Sequence, residues 1–328
     1  MTQLHDIITQ TNKTAAQVLS EFTESQRQKW PLASANFSSL EKVEEKCFQF
    51  DGFQIKVQYN PERLQSSAAK TDKVSIAARR CFLCVDNLPA EQEGISFGDD
   101  FLILVNPFPI FRNHFTVSSI HHTDQRFIQN AESLLRLAEI MKGFTVFYNG
   151  PECGASAPDH LHFQAGENEF MPLSEEFHQL KSTGRSLFSG ENMQVWAFDH
   201  YLRKMISIES DSLTETLKVI RLYYQHFEAM QPEKDEPMMN ALCSYTDGKW
   251  IVHLFPRKAH RPWQYFAEEK DNFLISPGSV DFGGVFITPR RSDFDKITGS
   301  VIADMLTQVC VDQDVFAELA NKIKNDLR

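Results

Sequence analysis

No apolar stretch in this chain approaches the length of a membrane span, and Met1–Ser20 has no basic head followed by an apolar block, so neither a spanning helix nor a secretory leader is expected. Cysteine is scarce. The six residues Cys47, Cys81, Cys84, Cys153, Cys243 and Cys310 are too few and too scattered for a disulfide framework in 328 residues, which points to a reducing, cytoplasmic setting. A basic excess is also missing: 33 Lys and Arg stand against 44 Asp and Glu, for a net charge of −11. That balance argues against nonspecific nucleic-acid binding and leaves an anionic small ligand open, because local cations and helix ends can hold a phosphate. Low-complexity segments are absent. What is present is an ordinary globular composition, 42% hydrophobic and 23% charged, long enough for two domains at roughly 150 residues each.

The apolar spacing of Thr2–Trp30 predicts a helix that stops before Pro31. Asp51-Gly52 between Cys47–Phe50 and Phe53–Tyr59 predicts a two-residue hairpin where a sheet begins. Strands are expected at Phe101–Val105 and His114–Ser118, a helix from Thr123 to Gly143, then strands at Phe144–Tyr148 and His160–Gln164. A similar order follows: strand-like Val195–Ile208, a helix over Thr214–Ala229, and strands Met239–Tyr245 and Trp250–Phe255 around the turn Asp247-Gly248. The reading is an α+β protein of two repeats, each a mostly antiparallel sheet with a packed helix, behind an amino-terminal helical arm. The expected divisions are 1–30, 31–185 and 186–328, with the Ser- and Gly-containing stretch Gly184–Gly190 at the seam.

Along a strand, side chains alternate faces, so His160, His162 and Gln164 would point one way while Leu161, Phe163 and Ala165 pack. Two imidazoles and an amide in one row need water, a metal or a ligand. Upstream, Asn149 opens a loop in which Gly154, Ala155 and Ser156 lack bulk, letting backbone N–H groups approach a phosphate. Imidazole is a nucleophile available at neutral pH, so the combination suggests phosphorus chemistry. The plainer alternative is a half-exposed strand whose histidines pair with waters or carboxylates.

The segment Phe147-Tyr148-Asn149 … Gly154-Ala155-Ser156-Ala157-Pro158-Asp159-His160-Leu161-His162-Phe163-Gln164 resembles the active-site stretch of the nucleotidyltransferase branch of the histidine-triad superfamily. That branch contains galactose-1-phosphate uridylyltransferase, diadenosine tetraphosphate phosphorylase and GDP-hexose phosphorylase. Tyr59–Arg63 and Asn106–Ile110 are similar to the GDP-hexose phosphorylases, and Trp250–Arg257 to a degenerate second repeat. The resemblance implies that His162 attacks the α-phosphorus of a nucleotide, with His160 beside it and Gln164 holding phosphate oxygens. The loop residues Asn149, Gly154, Ala155 and Ser156, and Arg257 of the later basic cluster, are the expected contacts to nucleotide or phosphate. The expected activity is nucleotidyl transfer or phosphorolysis on a nucleotide sugar or dinucleoside polyphosphate, with phosphate or a sugar phosphate as acceptor. A non-catalytic nucleotide-binding or regulatory module is one alternative, and a hydrolase, disfavoured by Gln164, is another.

Cys81-Phe82-Leu83-Cys84 looks like the zinc-binding stretch of the uridylyltransferases. The resemblance then implies a zinc set of Cys81, Cys84, His121 and His160, with His114 and His122 as competitors for the third place. The alternative is that both cysteines are small core residues. No organic cofactor is expected. Partners are a nucleotide substrate, a phosphate-bearing acceptor and a second copy of the chain in a homodimer, without nucleic acid or membrane. Arg79 and Arg80, and the cluster Arg257, Lys258, His260 and Arg261, are either phosphate ligands or a solvated charged face.

Overall fold

The structure is a computed structural model describing residues 2–64 and 72–328. Thr2–Trp30 is not one helix. Asn12 turns left-handed at φ 53° and ends α1 (Leu4–Thr11). Thr14 and Gln17 exchange hydrogen bonds in a capping box that starts α2 (Ala15–Lys29). Pro31 keeps Trp30 extended and opens α3 (Pro31–Ser39). These helices are part of the main body: Leu4, Val18, Leu19 and Phe37 belong to the largest core.

The strands among the described residues are β1 (Glu44–Phe50), β2 (Phe53–Tyr59), β3 (Gly94–Phe97), β4 (Phe101–Val105), β5 (Phe115–Ser119), β6 (Phe144–Asn149) and β7 (His162–Glu167), followed by β8 (Arg185–Ser189), β9 (Met193–Phe198), β10 (Met205–Ser210), β11 (Met239–Thr246), β12 (Lys249–Pro256) and β13 (Val285–Thr288). The β1–β2 hairpin closes with Phe50 opposite Phe53, the two-residue turn expected of Asp51-Gly52. It does not begin the main sheet. β2 instead pairs with β13 in a separate three-stranded sheet, so the carboxy-terminal half completes an element begun in the amino-terminal half.

The main sheet runs β3-β4-β5-β7-β6-β11-β12-β10-β9-β8, with every neighbouring pair antiparallel. Read inward from either edge, the two halves have the same strand order, and the helix preceding the innermost strand is Ala131–Ile140 in one half and Leu213–Met230 in the other. The repeat read from sequence is therefore real; the first half has an extra edge strand, β3, and in the second the expected Val195–Ile208 segment divides into β9 and β10 beside the extra edge strand β8. Gly184–Gly190 is not a linker: it supplies the edge strand β8. The expected helix from Thr123 begins only at Ala131 because the preceding backbone is spent on the site loop. The Thr123 carbonyl accepts from Leu161 N–H, and Gln125 N–H donates to the Pro158 carbonyl.

One face of the sheet is covered by α1–α3 and the helices Ala131–Ile140, Leu213–Met230 and Gln313–Asp326. There Phe163 and Ala165 of β7 are buried. The opposite face carries the small sheet and the helices Pro172–Leu180 and Gly299–Val309. It is this second face that holds the cavity.

Gly166, on β7, has no room for a side chain, since a Cβ there would lie 2.3 Å from the Phe111 ring. Phe111 packs against His114 and Phe147. Gly166→Ala should therefore destabilise the fold by about 1–3 kcal/mol, seen as a lower urea midpoint at unchanged slope. An unchanged midpoint would show that Phe111 can move aside freely.

Candidate active site

Leu104, Thr116, Gln164 and Phe147 stand directly opposite one another across β4, β5, β7 and β6, and all four line a cavity of about 810 Å³. The period of two puts His162 on the same face as Gln164, and it too lines the cavity. The His162 Nδ1–H donates to the carbonyl of His160 at 2.8 Å, because a carbonyl can only accept. That fixes the tautomer and leaves the Nε2 lone pair uncommitted. Burial holds the His162 pKa down at about 4, although the bond to the His160 carbonyl opposes the shift. The ring is therefore neutral at pH 7.

Gln164 is oriented the same way. Ile110 N–H donates to His114 Nδ1 at 3.2 Å, so the proton of His114 is on Nε2, which donates to Gln164 Oε1 at 3.0 Å. With its oxygen occupied, Gln164 presents its NH₂ to the cavity. Burial, aided by the charge of Arg63, lowers the His114 pKa to about 3 and keeps that relay neutral. In the sequence His114 stands out only as a competitor for the metal, and nothing local marks this role.

Gln125 is the second residue missed, and no local pattern marks it. Fully buried, it donates through Nε2 to the carbonyls of Asn149 (3.0 Å) and His162 (2.9 Å) and accepts His162 N–H on Oε1 (2.8 Å). It joins the end of β6 to the start of β7. The Asn149 side-chain oxygen accepts from Ser279 N–H and Asn240 Nδ2, which turns its own NH₂ toward the cavity. Gly154, at φ 96°, passes so close to Gly278 that a Cβ would lie 2.9 Å from the Gly278 Cα. Gly154, Ala155 and Ser156 line the cavity, as expected of a loop without bulk.

His160 does not share this row. It precedes β7, is fully buried and turns its Nδ1 toward Cys81 Sγ (3.3 Å), Cys84 Sγ (3.7 Å) and His122 Nδ1 (3.2 Å). Cys84 Sγ lies 3.2 Å from His122 Nδ1, and the four donors are within 4.8 Å of one another. Four of these separations, 3.2–3.7 Å, are close to the edges of a tetrahedron, roughly 3.3–3.8 Å for ligands 2.0–2.3 Å from zinc. The His160 Nε2–H donates to the Ser119 carbonyl at 2.8 Å, the outer bond that frees Nδ1 for a cation. The residues thus form a set able to hold a tetrahedral metal, and His121 is not among them. Successive residues in the turn after β5 point apart: His121 N–H is tied back to Ser119 Oγ, and its exposed ring lies 3.9 Å from Asp100. His122 takes the third place.

Arg257 also departs from expectation. Its guanidinium is fully buried and spent on Asn240 Oδ1 and the carbonyls of Pro277, Ala259 and His260, so it does not face the cavity. Among the described residues, the cations that line the cavity are Arg63, Arg79 and Arg261, beside a His260 that burial and the neighbouring arginines keep neutral. Arg79 is held by Asp159 at 2.6 Å, Arg261 by Ser276 at 3.0 Å, and Arg63 by the Phe108 carbonyl at 2.6 Å. Arg80 and Lys258 lie outside it. Cys153 is a packing thiol whose pKa burial raises to about 12. In the second half, β12 occupies the place of β7, and its histidine, His253, is roofed by Phe177 at 4.6 Å and bonded to Ser207 at 2.9 Å. Phe177 fills the space over this buried ring.

The paired α+β repeat with a His-x-His-x-Gln stretch at its cavity is an architecture shared with a solved nucleotide phosphorylase. More particularly, residues 22–167 match the family model "Domain of unknown function (DUF4922)" and residues 177–328 match "GDPGP1-like, C-terminal domain". The yeast Ap4A phosphorylase Apa2 has a similar fold at TM-score 0.50 and 17% identity, over 87% of this chain and 94% of that one. Apa2 in complex with Ap4A gives 0.51 at 16% identity, over 86% and 97%. No curated protein matches the sequence. No helix among the described residues is long and apolar enough to cross a membrane.

If the four donors hold zinc, protein purified without chelator should carry about one equivalent per chain. Cys81→Ser or His122→Ala should lose most of it while His121→Ala keeps it. Metal retained by His122→Ala and lost by His121→Ala would reverse the assignment.

Proposed function

We propose that the protein is a nucleotidyltransferase or phosphorylase working through a covalent nucleotidyl-histidine at His162. The observation that carries this reading is the committed Nδ1 of a neutral, buried histidine whose free Nε2 lines a cavity beside the Gln164 amide. A residue serving only to bind phosphate would donate, whereas this imidazole offers a lone pair.

In the first step Nε2 attacks the α-phosphorus of a nucleotide, a P–N bond forms, and the bond from phosphorus to the leaving phosphate oxygen breaks. The proton stays on Nδ1, donated to the His160 carbonyl, which stabilises the charge developing on the ring. An oxygen of a phosphate or sugar phosphate then attacks the same phosphorus and releases His162. Gln164 donates to a nonbridging oxygen in both steps, and its amide cannot take a proton from water as an imidazole could. Asn149 NH₂ and the Gly154–Ser156 loop hold the α-phosphate. Arg79 and Arg261 are placed for the leaving and accepting phosphates. A nucleotide sugar or dinucleoside polyphosphate fits these requirements, and Apa2, a protein of this fold, binds Ap4A.

Zinc held by Cys81, Cys84, His122 and His160 would supply a closed structural tether. Those residues fasten His160, and so the carbonyl that orients His162. Residues 31–185 would be the catalytic unit and 186–328 a degenerate repeat that contributes one wall of the cavity.

Incubation with α-labelled nucleotides should leave an acid-labile label on the wild-type chain and none on His162→Ala. Turnover of that variant should fall by about a thousandfold or more with the fold intact. Residual turnover within about tenfold of wild type would place the nucleophile elsewhere. Because His162 protonates only near pH 4, labelling should hold level from pH 8 to about 5.5 and decline below that as the lone pair is lost. A midpoint near the ordinary histidine value would mean that the attacking ring is not this buried one.

A further inference from the structure

The amino-terminal helices have a use in this cavity that the histidine strand does not explain. Trp30 and Leu32 flank the proline that separates α2 from α3, and both line the cavity together with Phe108 and Arg63. Leu32 is 44% exposed although it is a large apolar residue, whereas Trp30 is 4% exposed and so shows the cavity only an edge. The arm is fixed at this rim. Asn36 of α3 donates to the Pro107 carbonyl at 2.7 Å, and Gln26 of α2 accepts Glu93 N–H at 3.0 Å. From the other side Arg63 grips the neighbouring Phe108 carbonyl, leaving its remaining N–H groups free of protein partners among the described residues.

The sheet register gives the distance to the chemistry. Leu104, in the cavity beside this rim, lies two strands from Gln164 through Thr116, roughly 10 Å at the usual strand spacing. A ribose bridges such a gap between a phosphate and a base. The lining suits a flat heteroaromatic ring: apolar side chains for its faces and one planar cation for its edge or face. A sugar would instead need many polar partners, and the Gln92 and Asn106 amides that also line this end already donate to the Val105 carbonyl and Thr116 Oγ1.

We propose that the amino-terminal helical arm forms the nucleobase subsite, with Leu32, Trp30 and Phe108 against the base and Arg63 at its edge. This rests on the nucleotidyl-transfer reading for the phosphate end. Asp is well placed in the first turn of α3, so Leu32→Asp should spoil the apolar wall without unfolding the helix, which a thermal melt verifies. Binding of AMP, GMP, UMP and inorganic phosphate is measured by calorimetry and by intrinsic fluorescence. Leu32→Asp should weaken the best-bound mononucleotide by about tenfold or more, the range for losing a base contact, and leave phosphate within about twofold. Trp30→Phe should still bind but lose the fluorescence change. Mononucleotide affinity unaffected by Leu32→Asp, equal losses for mononucleotide and phosphate, or a fluorescence change that survives Trp30→Phe would each overturn the arm's role and leave the transfer reading standing. Wild-type protein that binds no mononucleotide at all would overturn both.

Discussion

One hydrogen bond, from the His162 Nδ1–H to the backbone carbonyl of His160, sets what the rest of the cavity can do. It decides the tautomer and aims Nε2, while burial keeps the ring neutral against the pull of this same bond. The carbonyl is useful only if residue 160 cannot move. Its ring is held by the Ser119 carbonyl on one nitrogen and by two thiols and His122 on the other. Gln125, clasping the backbone of His162 and the end of β6, closes the frame from behind. In the proposed transfer each of these contacts acts on position rather than on phosphorus. Positioning of this kind is where much of a transfer enzyme's rate advantage comes from.

The second repeat explains why a site built on one half needs the whole chain. Its β11 pairs with β6 so that Asn240 faces Asn149, and the Asn240 amide donates to the Asn149 side chain and the Cys153 carbonyl. Arg257, buried and charged, would be a liability without partners. With four oxygen acceptors it instead ties the loop at 259–260 and Pro277 to Asn240. A buried cation thus serves as the fastening of the cavity wall, while the cations left facing the cavity come from three separate segments. The histidine retained in the second half has lost its open space to Phe177.

Much of this was readable in the residue order. Alternation along Leu161–Gln164 set which side chains pack and which are displayed, and small residues at 154–156 marked the loop beside them. The repeated strand and helix order, the Asp51-Gly52 turn and the cysteine pair were also legible, because each rests on spacing within a few residues. His160 was read onto the wrong row because strand periodicity was extended past the start of β7, where the backbone is no longer extended in the sheet. The helix expected from Thr123 failed for a similar reason: its apolar spacing was genuine only from Phe127 onward, and distant partners claimed the backbone before it.

What the sequence determined by itself was the chemistry available: a histidine-glutamine strand, a loop without bulk, two thiols and several cations, all specified by local pattern. What only the tertiary structure decided was which of equivalent groups does what. His121 and His122 are neighbours of the same type, and the direction of one turn brings His122 to the thiols and leaves His121 beside Asp100. Arg257 and Arg63 are both arginines near phosphate-like motifs, yet one is enclosed by carbonyls and the other faces the cavity. His114, Gln125 and Trp30 acquire their places through partners tens of residues away. Orientation and burial depend on such long-range contacts, and no window of sequence contains them.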